Sequence, residues 1–125
     1  MIFQNNRHKQ IFEVERSSLR KPGKKVLAVL YLLTADHILW RKTKHLFSPN
    51  GRVDFKSVRL GEVPTDCYAL WKAVKELQTG EKQISLCELA DNGIVSDNAF
   101  RLIVQAVAIA RFGTVVLNNT EVRYD

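Results

Sequence analysis

Cysteine is scarce in this chain, with only Cys67 and Cys87 among 125 residues, neither in a C-x-x-C pair nor beside a histidine at ligand spacing. That argues against a disulfide framework and a zinc module, and predicts free, buried thiols in a reducing compartment. Long apolar runs are also missing. The longest, "VLAVLYLL" at 26–33, is far short of the roughly 18 residues a bilayer span needs. The opening "MIFQNNRHK" contains no apolar stretch of the kind a secretory signal carries, so a cytosolic protein is expected. Glycine is thinly spread: "KPGKK" at 21–25 has one, and the G-x-x-x-x-G-K spacing of a phosphate-cradling loop is absent. Low-complexity tracts and internal repeats are lacking too, as in an ordinary globular protein.

What is present is a chain of 125 residues, expected to form one domain, 1–125. At that length roughly two-thirds of the unfolded surface can be buried, so the core needs no staple. The charge is lopsided. Residues 1–60 hold thirteen Lys/Arg against four Asp/Glu, whereas 61–125 hold six against nine. The basic part should attract phosphate or an acidic protein surface.

The pattern predicts an α+β fold, mostly helical, with about five helices around a buried C-terminal helix and a small antiparallel sheet. "NNRHKQIFEVERSSL" reads as a first helix capped by Asn5 or Asn6, and the Pro22 and Gly23 pair breaks the chain after it. In "KVLAVLYLLTA" the Ala and Leu content favours a helix over a buried strand. Asp36 can cap the next. Thr65 or Asp66 caps "CYALWKAVKELQT", which Gly80 closes. Ser85 and Glu88 stand in capping-box register, and Ser96 or Asp97 starts "NAFRLIVQAVAIARFG". Only Arg101, Gln105 and Arg111 interrupt the apolarity of that last helix, which marks it as the central one. The sheet is expected from the alternation at 52–58 and the β-branched residues of 114–124.

Chemistry concentrates at 34–47, "TADHILWRKTKHLF". At 100° per residue Leu39, Trp40, Thr43, Leu46 and Phe47 share one arc, while His37, Arg41, Lys42, Lys44 and His45 take most of the other. This predicts an amphipathic helix with a basic wet side. With Arg20, Lys21, Lys24 and Lys25 in the preceding turn, these residues form a candidate surface for several phosphates. The plainer reading is a solvated face. His37 and His45 are eight residues apart, about 12 Å along a helix axis, too far to share a metal. Cys67 falls on a dry arc, where a thiol is a small hydrophobe. No enzyme, metal or cofactor is expected. Residues 85–105 have the general shape of a helix-turn-helix, but Ala90 precedes Gly93 by three rather than four, and Phe100, Leu102, Ile103, Val104 and Val107 suit a core better than a groove. Trp40, Trp71 and Tyr68 suit either a self-interface or the edge of the core.

With "HKQIF" in the first helix, "VLAVLYLLTAD" in the second and "SDNAFRLIVQAVAIARFG" in the last, the chain resembles a family of small proteins carried by phages and mobile elements of Gram-positive bacteria, a domain of unknown function. The resemblance runs from His8 to Gly113, with Asn98, Ala106 and Arg111 in matching places. It departs at Val63, Pro64, Thr65 and Asp66, where the family suggests a Trp-Gln-Thr-Ser-like entry, and lacks an Asn before Gly80. The resemblance implies no catalytic residues. It implies a setting in which small domains block a host defence nuclease, as anti-CRISPR inhibitors do, or regulate transcription. The expected function is therefore a non-enzymatic accessory protein that binds nucleic acid or a host nucleoprotein through Lys21, Lys24, Lys25, Arg41, Lys42, Lys44 and His45. A DNA-binding regulator using 85–105 and an inhibitor that binds protein alone are the alternatives.

Overall fold

Six α-helices and three short 3-10 turns make up the regular structure of residues 2–117, the residues described in this computed structural model. Helix α1 (Asn6–Ser17) starts where the Asn5 side chain accepts a hydrogen bond from the His8 backbone N–H at 2.8 Å. Lys21, in the left-handed region at φ 43°, and then Pro22 turn the chain into α2 (Lys24–Ala35). Every residue of α2 from 27 to 35 is buried. A helix apolar all round has to be enclosed, and α2 packs against α1, α3 (His37–Thr43), α4 (Thr65–Thr79) and α6 (Asp97–Phe112).

The centre of the fold is thus α2 and not the C-terminal helix. Ala99, Leu102, Ile103, Ala106 and Ile109 of α6 are buried, and the helix packs on α2 and α4. Its opposite side stays at the surface with Phe100, Val104, Val107 and Phe112 exposed. The low share of polar residues in α6 reflects two apolar faces, of which only one is covered.

The expected sheet is also absent: no strand occurs among the described residues. Phe47 and Val53 form one isolated antiparallel bridge. The partner that a second strand would have supplied is a side chain. The Gln78 amide accepts from the Val53 N–H at 2.9 Å and donates to the Val53 carbonyl at 3.0 Å, satisfying both backbone groups. Beyond Val53 the chain turns through a 3-10 segment, Phe55–Ser57, and Phe55 meets Trp71 edge-on at 5.2 Å. Residues 114–117 form another 3-10 turn after Gly113, and 118–124, the rest of the expected second strand, lie outside the described residues.

Caps were read more reliably than tertiary partners. Asp36 caps α3 by accepting from the Ile38 and Leu39 N–H groups, and Ser85 and Glu88 complete a capping box on α5 (Leu86–Ala90). Ser96 caps α6, and Gly80 closes α4 at φ 80°. Helix α4 begins at Thr65 with Pro64 at the cap position, so neither Thr65 nor Asp66 caps it. The described residues include no helix long and apolar enough to cross a membrane.

Candidate nucleic-acid interface

Helix α3 ends at Thr43 and passes into a 3-10 turn, Lys44–Leu46, short of the expected reach to Phe47, so the amphipathic reading holds for its first part. Leu39, Trp40 and Thr43 are buried, and the Thr43 hydroxyl donates back to the Leu39 carbonyl at 2.8 Å. Arg41, Lys44, His45 and His37 are exposed. Lys42 is only half-exposed and lies close enough to Cys67 to act on its thiol, as does Asp36. Of the basic residues on this helix and the 3-10 turn after it, Lys42 is the one drawn towards the body of the protein.

The other cluster is divided. Arg20 and Lys21 project from the turn before α2, and Lys25 is exposed at its first turn. Lys24, also exposed, reaches the C-terminal end of α6, where its Nζ stands 3.5 Å from the Arg111 carbonyl. A lysine there complements both the unpaired carbonyls and the helix dipole. Lys24 therefore serves the α2–α6 junction.

Helix α2 spans about 18 Å at 1.5 Å per residue, with Lys24 and Lys25 at its start and the α3 cations beyond its end. The chain comes back through the turn at 47–53, whose Gly51, at φ 84°, rests against Val26. That approach puts Arg52 and Lys25 in the walls of one cleft with Gly51 and Gln78. Arg52 is the basic residue that sequence reasoning missed. The "SPNG" signal announced the turn before it, but nothing local told where the turn would land.

None of these side chains stands in an ion pair among the described residues. The ion pairs among the described residues are Arg16 with Glu13 and Lys72 with Glu88, both at 3.3 Å and both elsewhere. Residues 20–59 contain two carboxylates. Against these two stand ten Lys/Arg; Asp36 caps α3, and Asp54 accepts from the Ser57 hydroxyl at 2.7 Å. Lys21, Lys25, Arg41, Lys44 and Arg52 therefore project a positive field into solvent, with the exposed His45 among them.

Other chemistry-bearing groups are spoken for. His8 is fully buried, donating from Nε2 to the Tyr31 carbonyl at 2.8 Å and accepting at Nδ1 from the Gln4 N–H at 2.9 Å. Burial lowers its pKa to about 4, only partly opposed by the Tyr31 carbonyl, so the ring is neutral. Tyr31 is held above the usual phenol range by burial, and its hydroxyl donates to the Ile2 carbonyl. Cys67 is buried and its thiol is pushed up to about 12, first by burial and then by the charge of Asp36. Cys87, expected to be buried, is exposed on α5 because the short helix turns that side outward. Trp40 and Trp71 belong to the core, while Tyr68 is exposed beside the Lys72 ammonium. No three His, Cys, Asp or Glu side chains among the described residues gather as metal ligands.

Residues 85–112 do form helix, turn and helix. Yet the exposed side of α6 carries Phe100, Val104 and Val107, which have nothing to offer the hydrogen-bonding edges of base pairs. An apolar groove of about 460 Å³ runs between α4, α5 and α6, lined by Leu77, Ile84, Leu86, Leu89, Ile103 and Val107 among others. No family model, curated protein or solved structure matches the chain significantly.

Proposed function

We propose that the chain is a non-enzymatic nucleic-acid-binding protein that contacts phosphates through Lys21, Lys25, Arg41, Lys44, His45 and Arg52. The observation that supports this reading is the imbalance of charge: these side chains are exposed and outside any ion pair among the described residues, in a segment, 20–59, that holds ten Lys/Arg against two carboxylates. Bound phosphates would displace condensed counterions, and that release supplies affinity without reading sequence. In the mobile-element setting that the family resemblance implies, such a protein would act on nucleic acid or on a host nucleoprotein, as a counter-defence inhibitor does.

The test is fluorescence anisotropy with single- and double-stranded RNA and DNA across a salt series at neutral pH. If about four phosphates are engaged, log affinity for duplex DNA falls against log salt with a slope of about −3.6. Negligible binding at low salt removes nucleic acid from the reading. Activity on a host protein that survives Arg41→Glu with Lys44→Glu assigns a protein-only inhibitor instead.

A further inference from the structure

The outer face of α6 is apolar where a solitary helix would be polar. Phe100, Val104 and Val107 are 40%, 46% and 51% exposed, and at 100° per residue they fall within an arc of about 60°. The stripe ends in opposite charges, with Asp97 in the first turn and Arg111 in the last, both exposed and outside any ion pair among the described residues. Lys24, bonded to the Arg111 carbonyl, adds a second cation to the same end.

The spacing of these charges matters. Asp97 and Arg111 each lie seven residues from Val104, about 10 Å along the axis in opposite directions. Laid antiparallel on a second copy of itself about a two-fold axis at Val104, the stripe sets Asp97 of each helix level with Arg111 of the other. Phe100 then comes level with the segment around Val107 and Ala108 of the other copy, and Val104 faces its own equivalent. We infer that the outer face of α6 joins two copies of this chain, its helices antiparallel and its Asp97 carboxylates paired with the Arg111 guanidinium groups opposite. A two-fold contact has to be self-complementary, and a stripe with an acidic end, an apolar middle and a basic end meets that requirement. Antiparallel packing also sets the two helix dipoles head to tail.

Sedimentation equilibrium on the full chain tests this at about 100 µM, above the micromolar Kd expected of so small a contact. A dimer is expected. Val104→Glu places two like charges on the axis and should weaken it about a hundredfold or more, with the helical circular dichroism retained because the position is on the surface. Asp97→Arg and Arg111→Asp should each weaken it about tenfold, and the two together should restore it. In a Cys87→Ser background, the paired Val104→Cys thiols should be oxidised by added diamide, which takes up their two electrons and two protons, to a disulfide-linked dimer, a readout that does not depend on Val104→Glu folding. A monomer at that concentration, a dimer unmoved by Val104→Glu, or a double charge reversal that fails to recover association overturns the proposal.

Discussion

The imidazole of His8 donates to the carbonyl of Tyr31 at 2.8 Å, and the rings of the two residues lie 4.7 Å apart. This contact ties α1 to the middle of the central helix. Phe3 closes it from the chain start, edge-on to His8 at 5.0 Å, and Phe12 meets Tyr31 at 6.1 Å. The early histidine is therefore a clamp within the core.

That clamp makes stability fall with acid. The folded-state pKa of His8, about 4, lies below the ordinary 6.5, so the unfolded chain binds a proton first. The contribution is fully present above pH 6.5, is lost as pH falls towards 4, and amounts to about 3 kcal/mol. Besides burial, the one other group lowering this pKa is the neighbouring Arg7. Urea titrations at pH 7 and pH 4.5 should show the loss. In His8→Gln the protein should be less stable at pH 7, with the pH dependence between these values much reduced. An undiminished slope in that variant would move the effect to the carboxylates.

The two thiols should behave oppositely. Cys87 is exposed and Cys67 is buried with its pKa pushed up to about 12, and only thiolate reacts with a disulfide reagent. Native protein at pH 8 should give one fast equivalent with Ellman's reagent and the second only on unfolding. Asp36→Asn keeps a cap on α3 but removes the charge that helps hold the Cys67 thiol protonated, so the second equivalent should come sooner. Two fast equivalents in the native wild-type chain would contradict the burial of Cys67.

Much of the local structure was legible, because caps and turns depend on residues a few positions apart. Asn5, Asp36, Ser85 with Glu88, and Ser96 each act where their side chains meet nearby backbone N–H groups. What was hidden depends on distant partners. The apolar count of α6 did not show that one side would face out, and the alternation at 52–58 could not reveal that Gln78 would take both backbone groups of Val53. His8 left one faint sign, its i,i+4 spacing from Phe12 on the inner side of α1. In the candidate interface the helix cations were legible, but the diversion of Lys24 to α6 and the arrival of Arg52 beside Lys25 were not.

The basic surface should respond to reversal in a graded way. Arg41→Glu with Lys44→Glu, and separately Lys25→Glu with Arg52→Glu, should each weaken nucleic-acid binding and flatten the salt slope by about two units. Lys24→Glu should cost stability as well, because it places a negative charge beside the Arg111 carbonyl. Thermal melts run beside the binding assays separate these effects. Equal loss of affinity from Lys24→Glu and from Lys25→Glu, with no change in melting, would mean that both lysines face the ligand.

Gly51 seats the turn that carries Arg52 against α2, and a methyl group there should be costly for two reasons. Its φ of 84° is strained for any L side chain, and an added Cβ would collide with Val26 Cγ1 on α2 and stand 2.9 Å from Cγ2. Gly51→Ala should therefore destabilise the protein by about 1–3 kcal/mol. Val26→Ala in the same chain clears the collision but leaves the backbone strain, so a double-mutant cycle should recover part of the loss. If the return of this turn to α2 is what sets Arg52 beside Lys25, Gly51→Ala should also weaken nucleic-acid binding under conditions where the protein is still fully folded. Retained affinity with lowered stability would separate the turn's packing from the surface it presents.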